Sequence, residues 1–189
     1  MPFQINNIDT AFTGRRSKLL VLNVELPDGH TMQREIEDHG AAVAVLPYDP
    51  ARRTAILVRQ FRAPVFLVSG EDMLVEVIAG IVESDDPGAC GRREASEEAG
   101  LELKTLEHVG SVWTMPCVST ERMHLYLATY SEADRVGKGG GLADEHENTD
   151  VVEIALGELA GAVDAGRLDD MKTALLVQTL RLRKPDLFA

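Results

Sequence analysis

The chain has 189 residues, 44% of them hydrophobic, and its 31 acidic residues against 19 basic ones give a formal net charge of −12. That length suits one domain with a substantial core and leaves room for a small accessory unit. The acidic balance argues against a polyanion such as nucleic acid as partner and fits a site that collects cations. Only Cys90 and Cys117 are present, without the paired spacing of a zinc site or a disulfide framework, so a reducing, cytoplasmic setting is expected. The first residues lack the apolar core of a signal peptide, and no apolar run is long enough to span a membrane.

Leu20, Leu22, Val24 and Leu26 alternate with Val21, Asn23 and Glu25, which predicts a half-buried strand. Pro27-Asp28-Gly29 supplies a turn, and Thr31 to Ile36 returns as the second strand of a hairpin. Residues 1–39 are therefore read as an N-terminal β-hairpin region, which must pack on something else to bury its faces, and 40–189 as the main domain.

Ala41 to Leu46 is a continuous apolar strand that Pro47-Tyr48-Asp49-Pro50 should end, and Thr54 to Phe61 is another. Arg59 and Arg62 flank its end. They are either surface charges or a clamp for phosphate, which guanidinium geometry suits. Ala63 to Asp72 reads as a loop. Met73 to Ile78 reads as a strand in which Glu76, a lone charge, needs a partner or a function.

The stretch 79–101, AGIVESDDPGACGRREASEEAGL, dominates the chain. Pro87 suits the first turn of a helix and Gly100 its end. On that helix Glu94 and Glu98 lie one above the other, with Glu97 beside them. Like charges so placed destabilise a helix, and a hard divalent cation such as Mg²⁺ relieves the repulsion. The plain alternative is a solvated acidic face.

Strands are expected at Leu106 to Val112 and Met123 to Tyr130, with Trp113 to Glu121 between them. Gly137 to Asp150, rich in glycine and acid, reads by itself as a flexible surface insertion. Val151 to Leu156 is a strand, Gly157 to Ala165 a helix, and Met171 to Arg183 a closing amphipathic helix. The five histidines show no metal-ligand spacing, and neither a G-x-S-x-G motif nor a P-loop is present.

The 79–101 stretch resembles the Nudix box: Gly, five residues, Glu, seven residues, Arg-Glu, an apolar residue, any residue, Glu-Glu, any residue, Gly, apolar. Gly80, Arg93, Glu94, Ala95, Glu97, Glu98, Gly100 and Leu101 fill their places, while Asp86 replaces the first Glu and six residues separate it from Arg93. A similarly shortened box occurs in the GDP-mannose pyrophosphatase branch, whose closing helix also begins with Lys-Thr, as MKTALLVQ does here. Pro116, fifteen residues after Leu101, and Gly139 to Glu145 resemble instead the ADP-ribose pyrophosphatase branch.

The resemblance implies an α/β (α+β) fold, a Nudix α/β/α sandwich with a mixed sheet and a small N-terminal β subdomain, here forming a homodimer. It implies a pyrophosphatase for a nucleoside diphosphate sugar, ADP-ribose favoured and GDP-mannose the alternative, with Mg²⁺ as cofactor and Mn²⁺ as the alternative ion. Ala79 (through its carbonyl), Glu94 and Glu98 would hold the metal, with Glu97 completing the cluster. Arg62, Arg59, Glu76 and Glu121 would contact substrate, and Arg93 would be structural. Glu145 would be the base, with Glu147 in reserve. The altered positions, Asp86 together with Cys117 and Val118 where relatives carry two glycines, motivate a further alternative: a sensor that binds nucleotide sugars without cleaving them.

Overall fold

Two aliphatic runs build the centre of the main sheet, β4 (Ala41–Asp49) and β5 (Thr54–Gln60). In both, residues of either parity are fully buried, Val43, Val45, Ile56 and Val58 as well as Ala44, Leu46, Ala55 and Leu57. Continuous burial, without in–out alternation, marks a sheet covered on both faces. The computed structural model describes residues 2–141 and 149–189. They form a mixed α+β arrangement with a multi-stranded mixed sheet and four helices.

The chain divides into two units, one formed by residues up to Ala42 together with Ser111–Met123, the other by Val43–Gly110 and His124–Ala189. In the first unit β1 (Gln4–Thr13), β2 (Lys18–Glu25) and β3 (Thr31–Asp38) form an antiparallel sheet in that order. The hairpin read from the sequence is β2–β3. β1 escaped notice because its alternation is interrupted by register shifts between Ile5 and Asn7 and between Thr10 and Phe12. The segment after Trp113 joins the same unit. Glu37 and Ser119 form a parallel bridge, and the Glu37 N–H donates to the Val118 carbonyl at 2.7 Å.

The larger sheet runs β10 (Asp150–Ala155), β5, β4, β9 (Arg122–Thr129), β8 (Glu107–Trp113). Two short strands, β6 (Leu74–Glu76) and β7 (Ile78–Ile81), pair with β5 and β4 respectively. β5 divides one edge between two partners: Thr54 and Ala55 face β4, while Val58, Arg59 and Gln60 face β6. β4 does not stop at Pro47, because Tyr48 and Asp49 resume pairing with β5 and the missing N–H costs a single ladder position.

Helix α1 (Ala63–Ser69) occupies the stretch read as a loop. It is apolar almost throughout yet none of its residues is buried, so it shows no in–out helical period, but Pro64 sits in its first turn and Gly70 ends it. Helix α2 (Pro87–Ala99) packs against β7, with Cys90, Ala95 and Ala99 in one core cluster with Val43, Val45, Ile56, Val58 and Ile78. Helices α3 (Leu156–Asp164) and α4 (Met171–Arg183) pack on each other and bury Leu156, Leu159, Leu176 and Leu180. Among the described residues no helix is long and apolar enough to cross a membrane.

Candidate active site

The box helix α2 starts where its chemistry dictates. Asp86 is the N-cap, its carboxylate accepting the Ala89 N–H at 3.1 Å, and Pro87 follows in the first turn. Asp86, the departure from the Nudix pattern, therefore has a structural task that the shorter side chain of Asp performs better than Glu. At the other end Gly100 adopts φ 65°, and its N–H and that of Leu101 close on the Ser96 and Ala95 carbonyls.

Two carboxylates of this helix converge on one dipeptide of β7. Glu98 is 2% exposed, and its Oε2 accepts the Ala79 N–H at 3.3 Å. Glu94 is 8% exposed, and its Oε1 lies so near Gly80 that a Cβ there would stand 2.1 Å from it. Only glycine admits that approach. Arg93 donates to Glu94 and to Glu97, each at 2.6 Å, and lies 3.9 Å from Glu83 of the preceding loop. Burial alone would lower the Arg93 pKa, but the charges of Glu94, Glu97 and Glu83 outweigh it and raise it.

Beside this cluster Glu76, 1% exposed, is held between two cations. Arg62 donates to it through Nε at 2.6 Å, and Lys172 of α4 pairs with its other oxygen. Burial pushes the Arg62 pKa down, while its bond to Glu76 and the charges of Glu76, Glu98 and Asp170 outweigh this and raise it. The guanidinium therefore stays charged, and the terminal nitrogens are not used in the Nε bond. Glu76 thus finds two cationic partners within the protein, Arg62 and Lys172.

The second unit thus gathers Arg62, Glu76, Ala79, Glu94, Glu97 and Glu98. Arg59 turns to its cross-strand neighbour Asp150 at 2.8 Å. Glu121 belongs to the first unit, where His39 Nε2 lies 3.6 Å from it and the Ser119 hydroxyl accepts its N–H. Glu145 and Glu147 lie outside the described residues. The glycine run leading toward them is bound to α2: the Gly140 and Gly141 N–H groups donate to the Glu98 and Glu97 carbonyls at 2.9 and 3.1 Å. Those glycines, read from the sequence as part of a flexible insertion, are bonded to the helix that carries the acidic cluster.

Sequence reasoning missed Lys172, Asp170 and Thr173 as members of this region. A signal was available: Lys172 stands in the first turn of α4, where the helix dipole disfavours a cation, so a carboxylate partner was required.

Among the described residues no three His, Cys, Asp or Glu side chains are already disposed around a metal position, and Arg93 engages Glu94 and Glu97. The donor chemistry nevertheless fits a hard divalent ion. Two nearly buried carboxylates converge on the Ala79–Gly80 backbone, and carboxylate and carbonyl oxygens are the donors that a hard divalent ion takes.

The NUDIX domain family matches residues 38–173. The chain therefore belongs to the Nudix family. It is 38% identical over 159 residues to a GDP-mannose pyrophosphatase of Cronobacter sakazakii, covering 82% of each chain. It is 31% identical over 181 residues to a GDP-mannose pyrophosphatase of Salmonella arizonae, covering 95% of this chain and 88% of the relative. The crystal structure of an ADP compounds hydrolase superposes with a TM-score of 0.78 at 17% identity, covering 97% of this chain and 95% of that one, which shows a shared fold.

Proposed function

We propose that the chain is a divalent-metal-dependent hydrolase that cleaves the diphosphate of a nucleoside diphosphate sugar into a nucleoside monophosphate and a sugar phosphate. The observation that carries this reading is the convergence of buried Glu94 and Glu98 on Ala79–Gly80. Sequence relatives named GDP-mannose pyrophosphatase make GDP-mannose the first substrate to test, with GMP and mannose 1-phosphate as products. ADP-ribose, giving AMP and ribose 5-phosphate, is the second reading, favoured by Pro116 and the Gly139–Glu145 stretch.

Glu94, Glu98 and the Ala79 carbonyl would hold Mg²⁺, or Mn²⁺ in its place, with Glu97 beside them. When bound, the ion offsets the charge of the diphosphate and lowers the barrier to attack by water. Arg62, kept charged and aimed by Glu76, binds a phosphate oxygen. Arg93 holds the acidic side chains apart and in register until substrate arrives. Glu121 contacts substrate in this reading, and Arg59, already paired with Asp150, plays the lesser part. Glu145 takes the proton of the attacking water, with Glu147 in reserve. The protein works as a cytoplasmic homodimer, its N-terminal sheet supplying the surface between copies.

A product screen with Mg²⁺ over GDP-mannose, ADP-ribose, other nucleotide sugars and nucleoside triphosphates tests this. Binding without turnover of any of them would leave only a sensor. Pyrophosphate released from triphosphates alone would exclude the sugar reading. Glu145→Gln should lower kcat by about 10²-fold, the scale of lost general-base catalysis, with Mn²⁺ binding retained. Unchanged turnover would move the base to Glu147.

A further inference from the structure

The strand that carries Ala79 is interrupted at Val77, the single residue between β6 and β7. There its N–H leaves the ladder and donates to the Thr173 hydroxyl at 2.8 Å. Thr173 is fully buried, and its own proton goes to Asp170, the N-cap of α4, which also accepts the Thr173 N–H at 3.0 Å. Asp170 further pairs with Lys172 at 3.0 Å, and Lys172 with Glu76. The first turn of α4 thus grips two consecutive residues, Glu76 by its side chain and Val77 by its backbone.

We infer that Thr173 is a positioning residue for the divalent-ion site, setting through Val77 the orientation of the Ala79–Gly80 backbone on which Glu94 and Glu98 converge. Only Val77 and Ile78 separate the gripped N–H from Ala79, and both side chains are fully buried. Their torsions are therefore fixed by packing, and rotation of the Val77 peptide is carried directly to Ala79. A hydroxyl is needed because it accepts from Val77 while donating to Asp170, which neither Val nor Ala can do. The inference rests on the reading that Ala79, Glu94 and Glu98 hold the ion. Supports one shell behind a metal ligand typically change affinity by about 10- to 100-fold when removed.

The test compares Mn²⁺ binding, followed by the paramagnetic resonance of the free ion without substrate, in the wild type, Thr173→Val and Thr173→Ser. Thr173→Val should weaken Mn²⁺ about 10-fold or more and raise the Mg²⁺ concentration for half-maximal turnover in parallel. KM for the nucleotide sugar at saturating Mg²⁺ should change little. Thr173→Ser, which keeps the hydroxyl, should restore wild-type binding to within about twofold. Where Thr173→Val does not fold, Thr173→Ala removes the hydroxyl without setting a methyl group against the Val77 N–H, and it should show the same weakening. Wild-type Mn²⁺ affinity in a folded variant without the hydroxyl would overturn the inference alone. A wild type that binds no Mn²⁺ would overturn the metal-site reading with it. A wild type that binds Mn²⁺ tightly, but only while Thr173 is intact, would uphold the inference even if no nucleotide sugar were cleaved.

Discussion

Gly80 and Glu94 show how little room the site leaves. The carboxylate occupies the space that any other residue at position 80 would fill with its own Cβ, 2.1 Å from Oε1. Gly80→Ala therefore cannot keep Glu94 where it stands, although the fold tolerates the change because the clash is with a side chain. Displacement of a reacting or ligating group by about 1 Å costs on the order of 10²-fold in rate. We expect Gly80→Ala to lose about that much kcat, with weaker Mn²⁺ binding and an unaltered circular dichroism spectrum. Wild-type turnover would mean that Glu94 works from another position.

For the element, α2 owes its start to Asp86 and its end to Gly100, and the acidic face rides between these two caps. Asp86→Ala removes an N-cap worth about 1 kcal/mol, and for a chain of this size that lowers Tm by about 2–4 °C. Catalysis should fall less than about twofold, since the cap lies a full turn or more ahead of Glu94. Differential scanning calorimetry and steady-state kinetics check the two halves separately. A large kinetic loss with unchanged Tm would give Asp86 a chemical role in place of the capping one. Helix α4 matters differently: its cap, Asp170, serves the helix and a neighbouring strand break at once.

Across the second unit, Glu153 on β10 ties distant parts of the chain. Thr54 and Tyr130 donate to it at 2.6 and 3.1 Å, and Arg52 and Arg135 lie at 2.8 and 2.7 Å. Burial would raise its pKa, but these hydrogen bonds and charges outweigh burial and hold the carboxyl below its ordinary value of 4.5. A folded pKa depressed in this way contributes stability that is complete above the unfolded value and lost as pH falls through the folded one. The urea midpoint should therefore decline below a pH of about 4.5. Glu153→Gln should lower the midpoint at neutral pH and flatten that decline. Parallel profiles for the two proteins would show that the network adds nothing to acid sensitivity.

The sequence by itself determined what depends on local spacing. Glu94, Glu97 and Glu98 share a helical neighbourhood because 3.6 residues make a turn, and Pro87 and Gly100 bound that helix through their own backbone preferences. The buried runs of β4 and β5 and the span of α4 were legible for the same reason, as unbroken apolar stretches or a helical period. α1 was not legible, since its short run is apolar almost throughout and carries no helical period, and Pro47 misled because a proline's cost depends on where its partner strand lies. Only the tertiary structure decided which distant groups meet. Lys172 reaches Glu76 across 96 residues, Thr173 takes the Val77 N–H, and Gly140 and Gly141 dock on the end of α2. No periodicity encodes those contacts, because they follow from how β6, β7, α2 and α4 pack together. The box could therefore be read as an acidic helix from its spacing alone. The backbone on which its carboxylates converge is fixed by a threonine at the far end of the chain.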